Sequence, residues 1–124
     1  MNYLELEMER KRLANAGCGW KNGTYYKGTP AQETRRRELS CIEMINLILA
    51  YSCRGYTKAK DVLEHEKNAY HNYLENYTTE LGEDRVLELI QDQIDSIETL
   101  NVDVWRDSDG ILYSSIRWKE QGEH

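Results

Sequence analysis

The sequence predicts an α+β fold: about four helices around a central apolar helix, with N- and C-terminal antiparallel β-hairpins. Three observations carry this. Asn22-Gly23 lies between β-forming residues. A second stretch alternates from Val102 to Trp118 around Asp107-Ser108-Asp109-Gly110. Between the two, apolar residues recur at helical spacing. With 124 residues, 40% of them hydrophobic, and one proline, the chain fits a single globular domain over residues 1–124.

The first helix is expected from Asn2 to about Asn15, with Gly17 as its C-terminal stop and Leu4, Met8 and Leu13 on one modest apolar face. Trp20-Lys21-Asn22-Gly23-Thr24-Tyr25-Tyr26 then predicts a hairpin over residues 18–27, because both central residues of a type I′ turn need positive φ. Thr29-Pro30-Ala31-Gln32 opens the second helix as a capping box with proline at the first helical position. This helix runs to about Ser52. Arg36, Ser40, Glu43 and Asn46 form one narrow polar stripe, and Leu39, Ile42, Met44, Ile45, Leu47, Ile48 and Leu49 cover most of the remaining surface. A helix that apolar belongs in the middle of the domain.

Thr57 is the expected cap of a third helix ending at Gly82, with a break near His65–Asn68 where its apolar stripe thins. The fourth, at about 83–99, sets Val86, Leu89, Ile90, Gln93, Ile94 and Ile97 on one side. Its other side carries Glu88, Gln91, Asp92, Asp95 and Glu98. The C-terminal hairpin pairs Val102–Arg106 with Ile111–Trp118, and residues 121–124 are expected to fray. The two hairpins either join into one four-stranded sheet or stay as two small ribbons on the central helix.

Several function classes lose support at this stage. The longest apolar stretch, Cys41–Tyr51, contains Glu43 and Asn46 and is too short to span a bilayer. The N-terminal residues lack the apolar core and small-residue cleavage site of a signal peptide. Cys18, Cys41 and Cys53 make an odd, unpaired set, which favours free thiols and a cytoplasmic location. Cys41, Cys53, His65 and His71 do not have compact zinc-ligand spacing, so no metal is expected. Asp107-Ser108-Asp109-Gly110 resembles the middle of a calcium loop, but Trp105 and Ile116 stand where oxygen ligands belong, and a turn is the simpler reading. There is no nucleophile elbow, phosphate loop or paired-histidine metalloprotease motif, so neither catalysis nor a cofactor is expected.

Charge is the most informative remaining feature. Residues 1–60 carry eleven Lys/Arg against six Asp/Glu, whereas residues 75–109 carry eleven acids against Arg85 and Arg106. Asp84, Glu88, Asp92, Asp95 and Glu98 recur at three- and four-residue steps and should line about 21 Å of one helix face. Like charges so placed repel by a few tenths of a kcal/mol per pair, which packing of the opposite face must offset. The bland reading is solubility plus pairing with the arginines; the functional one is a decoy for a basic groove. On the basic side, Arg35-Arg36-Arg37 spread over about 200° of a helix and form no single reading face. A simple Arg35–Glu38 pair is expected there. Nine tyrosines and three tryptophans with no phenylalanine suit boundary packing, and also binding surfaces.

The chain resembles small uncharacterised accessory proteins carried by mobile elements of Gram-positive bacteria. The likeness rests on Gly17-Cys18-Gly19-Trp20-Lys21-Asn22-Gly23-Thr24-Tyr25, Leu81-Gly82-Glu83-Asp84-Arg85-Val86, and the run from Asp107 to Ile116. It implies a non-essential, element-borne role in regulation or in countering host defences, and carries over no functional residues.

The expected function is therefore a non-catalytic macromolecule-binding accessory protein, an acidic inhibitor or regulator that docks on a basic surface of a partner protein. Glu88, Asp92, Asp95 and Glu98 would steer the encounter, and exposed members of Tyr70, Tyr73, Tyr77 and Trp105 would supply contact area. Nucleic-acid binding through Arg35, Arg36, Arg37, Lys58 and Lys60 is the first alternative. The second is a small-molecule enzyme with a tyrosine-lined pocket and Cys18 or a histidine as reactive group. Monomer and homodimer both remain open.

Overall fold

The structure, a computed structural model, describes every residue except Cys53, Ile111 and residues 120–124, together with the backbone but not the side chains of residues 101–104 and 112–114. The state of Cys53, the strand start at Ile111, the side-chain alternation at 102–104 and 111–114, and the fraying of 121–124 thus lie outside the described residues.

The fold is α+β, with five helices and two antiparallel ribbons among the described residues. Helix α1 (Tyr3–Asn15) starts at a capping box in which Asn2 and Glu5 satisfy each other's backbone amides. Strands β1 (Gly19–Lys21) and β2 (Thr24–Tyr26) form the expected hairpin, with Asn22 and Gly23 at φ +52° and +79° as a type I′ turn requires. Helix α2 (Pro30–Tyr51) starts at the Thr29–Gln32 capping box.

The single third helix of the sequence reading is two helices, α3 (Ala59–Glu66) and α4 (Ala69–Leu81). The expected break is wider than anticipated: Tyr70, His71 and Asn72 all have left-handed φ, so regular geometry resumes only after them. Lys58, not Thr57, occupies the N-cap of α3 and supplies no side-chain cap. The amide of Ala59 instead donates to Gln91 Oε1 of the neighbouring helix at 3.0 Å. Gly82, at φ +89°, ends α4 and passes directly into α5 (Glu83–Ser96).

Helix α5 stops three residues before its expected end. Ile97 is already in β3 (Ile97–Arg106), which pairs antiparallel with β4 (Leu112–Trp118). Ile97 faces Trp118, and the pairing is irregular as far as Asp103. Among the described residues the two ribbons are separate two-stranded sheets. Gly82 and Ile97 thus bound the acidic helix, which packs on α2, α3 and α4, while the C-terminal ribbon packs chiefly on α2.

The core forms on α2. Leu39, Cys41, Ile42, Ile45, Ile48 and Leu49 of this helix meet Leu6 of α1, Val62 of α3, Leu74 of α4 and Val86, Leu89 and Ile90 of α5. Each such aliphatic side chain contributes about 1.5–3 kcal/mol through burial. On α1, Leu6 is buried and Leu13 partly so, while Leu4 and Met8 point to solvent at 66% and 50% exposure. The expected Leu4–Met8–Leu13 face is therefore corrected to one built on Leu6. The polar stripe of α2 is not solvated either. Two of its members meet the N-terminal segment: Arg10 of α1 pairs with Glu43, and Asn46 donates to the Met1 carbonyl. Leu47 and Tyr51, by contrast, remain exposed, so α2 is central without being enclosed all round.

Candidate partner-binding surface

Helix α5 turns Val86, Leu89, Ile90 and Gln93 inward, and the same periodicity turns Asp84, Glu88, Asp92 and Asp95 outward. All four are exposed, as is Glu98. Glu98 extends the row from strand β3, not from the helix. The row is partly met by the protein's own cations. Arg85 Nη1 lies 2.9 Å from Glu88, and Arg117 Nε lies 3.1 Å from Glu98. Gln91 donates to Asp95 at 3.0 Å, a neutral contact that leaves the charge in place. Among the described residues, Asp84, Asp92 and Asp95 form no salt bridge.

The aromatic residues divide. Tyr70, Tyr73 and Trp105 are 42%, 47% and 49% exposed, whereas Tyr77 packs partly buried against the core. The former three retain area for a partner; Tyr77 is chiefly structural.

The arginine triplet is drawn into the fold. Arg35 bridges Glu9 and Glu38, Arg36 holds Glu33 at 3.2 Å, and Arg37 lies 3.8 Å from Glu80. The expected Arg35–Glu38 pair forms at 2.9 Å. Glu38 also receives Arg85 at 2.7 Å, and these two guanidinium groups hold its carboxyl below the usual range, with Arg85 the stronger influence. Lys58 and Lys60 line a shallow depression with Asp84 and Glu88, beside the acidic row and not beside the arginines. The five residues of the nucleic-acid alternative therefore do not converge on one surface.

The densest polar cluster escaped the sequence reading. Glu33, in the first turn of α2, is 7% exposed and accepts Tyr25 Oη on both carboxylate oxygens at 2.8 Å. It also accepts the Gly28 amide at 3.0 Å, Arg36 Nε at 3.2 Å and the Cys18 thiol at 3.5 Å. The carboxylate thus ties the hairpin, the loop after it and α2 together. The Tyr25 hydroxyl first, and the Gly28 amide second, hold its pKa down from 4.5 to about 2. Burial and Glu33 push the Cys18 thiol up, and burial pushes Cys41 up to about 12, so neither is poised as a thiolate nucleophile. An acid in the first turn of a helix was the only sequence signal for this clamp.

The low folded-state pKa of Glu33 has a direct consequence. Its stabilising contribution is complete above about 4.5, the unfolded carboxyl value, and is lost as pH falls through that value toward 2. Acid titration of unfolding should therefore show a decline over this window that Glu33→Gln flattens. An identical pH profile in the variant would refute the clamp.

Gly28 is needed for space. A Cβ there would lie 2.5 Å from Cys18 Cβ and 2.9 Å from its Sγ. Gly28→Ala is expected to cost about 2 kcal/mol in urea unfolding, since the backbone must shift to accept it. A change within experimental error would show that the loop yields freely.

No helix among the described residues is long and apolar enough to cross a membrane. No family model, curated protein or solved structure matches this chain.

Proposed function

We propose that this chain is a non-catalytic binding protein that docks on the basic surface of a partner protein, acting as an inhibitor or regulator of the counter-defence type in the cytoplasm. The observation that carries the reading is the outward row on α5: Asp84, Asp92 and Asp95 are exposed with no internal salt bridge among the described residues. Long-range attraction from such a row raises the encounter rate with a cationic surface and suppresses association with acidic ones. Glu88 and Glu98 keep partial roles, since Arg85 and Arg117 compete for them. Tyr70, Tyr73 and Trp105 would add apolar contact once the charges have aligned the partners.

Docking on a protein is favoured over the nucleic-acid alternative by how the cations are used. Arg35, Arg36 and Arg37 already face carboxylates, and Lys58 and Lys60 border Asp84 and Glu88. The two sets lie on different surfaces, so one phosphate backbone cannot engage all five residues together. Affinity capture from the native host with the tagged chain and its Glu88→Lys/Asp92→Lys/Asp95→Lys variant tests the reading. A partner retained only by the unaltered chain supports it. Equal retention by both rejects it.

A further inference from the structure

A cleft of about 500 Å³ opens between α1, the β1 strand and α2, and it contains no residue of the acidic row. Its volume falls within the range of roughly 300–1,000 Å³ typical of small-ligand sites. Its lining combines two chemistries. Leu13, Ala14 and Cys18 supply an apolar part, and Cys18 is fully buried with its thiol turned to Glu33. Arg10, Lys11 and Arg36 supply cationic groups beside the lining acid Glu7; Arg10 is oriented by Glu43 and Arg36 by Glu33, and Lys11 forms no salt bridge among the described residues. Trp20 completes the wall and is 71% exposed, more than any other large apolar side chain among the described residues.

Trp20 is held in that position. Its ring meets Tyr25 edge-on at 5.4 Å, and Tyr25 is fixed through both oxygens of Glu33. Arg36 lies 5.3 Å over the other partner in this stack, the Tyr25 ring, while Glu33 anchors its Nε. The clamp therefore fixes an exposed aromatic ring beside an oriented guanidinium. Lys11 on α1 is exposed and forms no salt bridge among the described residues.

We infer that this cleft binds a nucleotide unit, with the base stacked on Trp20 and the phosphate facing Lys11, Arg10 and Arg36. A planar base needs an exposed aromatic face, and its phosphate needs fixed cations at the edge of that face. This cleft sets Trp20, the most exposed of the large apolar side chains among the described residues, beside three lining cations. A second, polar cleft of about 310 Å³ shares Arg36 and Ser40 with the first and adds Arg37, Tyr73 and Tyr77. A free nucleotide would use the first cleft alone, whereas a single strand would continue along the second.

Calorimetric titration of the full chain with AMP and with a short oligodeoxythymidylate tests this. Binding of either is expected, and Trp20→Ala should weaken it by at least about tenfold because the stacking platform is lost. Lys11→Glu should also weaken it and reduce its salt dependence, and serves as the readout if the tryptophan variant does not fold. Tyr3→Ala, at an exposed aromatic outside the cleft, should leave binding unchanged. AMP binding identifies a free nucleotide as the source; binding of the oligonucleotide alone identifies a single strand. Failure of both ligands to bind, or full binding by folded Trp20→Ala, would overturn the assignment. Neither result bears on the acidic surface.

Discussion

Reversing Glu88, Asp92 and Asp95 together to lysine is expected to slow partner association by about 10- to 1,000-fold at low salt. The fold should survive, because all three side chains are exposed and the buried face of α5 is unchanged. Two of the three, Asp92 and Asp95, lack a salt bridge among the described residues, so most of the loss should come from them. The reversal adds six units of charge and brings the chain from −6 to zero, a change that could itself lower solubility. The neutral variant Glu88→Gln/Asp92→Asn/Asp95→Asn avoids this and should show a smaller loss in the same direction. Glu64→Lys/Glu75→Lys changes exposed acids outside the row. If that pair slows association as much as the triple variant does, net charge and not the α5 surface governs binding.

Ile45→Ala should be the most damaging conservative substitution on α2, costing about 2–5 kcal/mol. Ile45 is fully buried at the centre of the cluster joining α2 to the other helices, so truncation leaves a cavity that its neighbours fill poorly. Against a typical total stability of about 5–15 kcal/mol, this is enough to populate unfolded chain on warming. Leu47, two residues along the same helix, is 37% exposed. Leu47→Ala should cost less than about 1 kcal/mol. Comparable denaturation midpoints for the two variants would contradict the arrangement of α2.

Features set by neighbouring residues were legible in the sequence. The Thr29–Gln32 capping box, the Asn22-Gly23 turn and the Gly82 helix stop depend on local backbone geometry, and all three formed as read. Features that depend on a distant partner were not. Leu4, Met8 and Leu13 had helical spacing, but so did Leu6 and Leu13, and only contact with α2 selects the buried set. Ile97 continued the periodicity of α5, yet pairing with Trp118 across the ribbon takes it into a strand. That pairing moves Glu98 off the helix and brings it to Arg117.

The candidate surface divides in the same way. The exposure of Asp84, Glu88, Asp92 and Asp95 followed from the apolar positions opposite them. The cation on Glu88 is local, since Arg85 stands three residues earlier on the same helix, whereas the one on Glu98 was not legible, because Arg117 comes from another strand. The arginine triplet was read as a basic cluster because its partners Glu9 and Glu80 lie far away in sequence. Most of the Glu33 clamp was invisible for the same reason: Arg36 is an i,i+3 neighbour on α2, but Cys18, Tyr25 and Gly28 reach Glu33 only after the hairpin folds onto that helix.

The docking face can be read most directly by carbodiimide labelling of carboxylates, quantified by mass spectrometry, in the isolated complex and in the free chain. Asp84, Asp92 and Asp95 should react readily in the free protein and become shielded in the complex, while Glu64 and Glu75 stay reactive in both. Unchanged labelling of the three aspartates on complex formation would contradict the account.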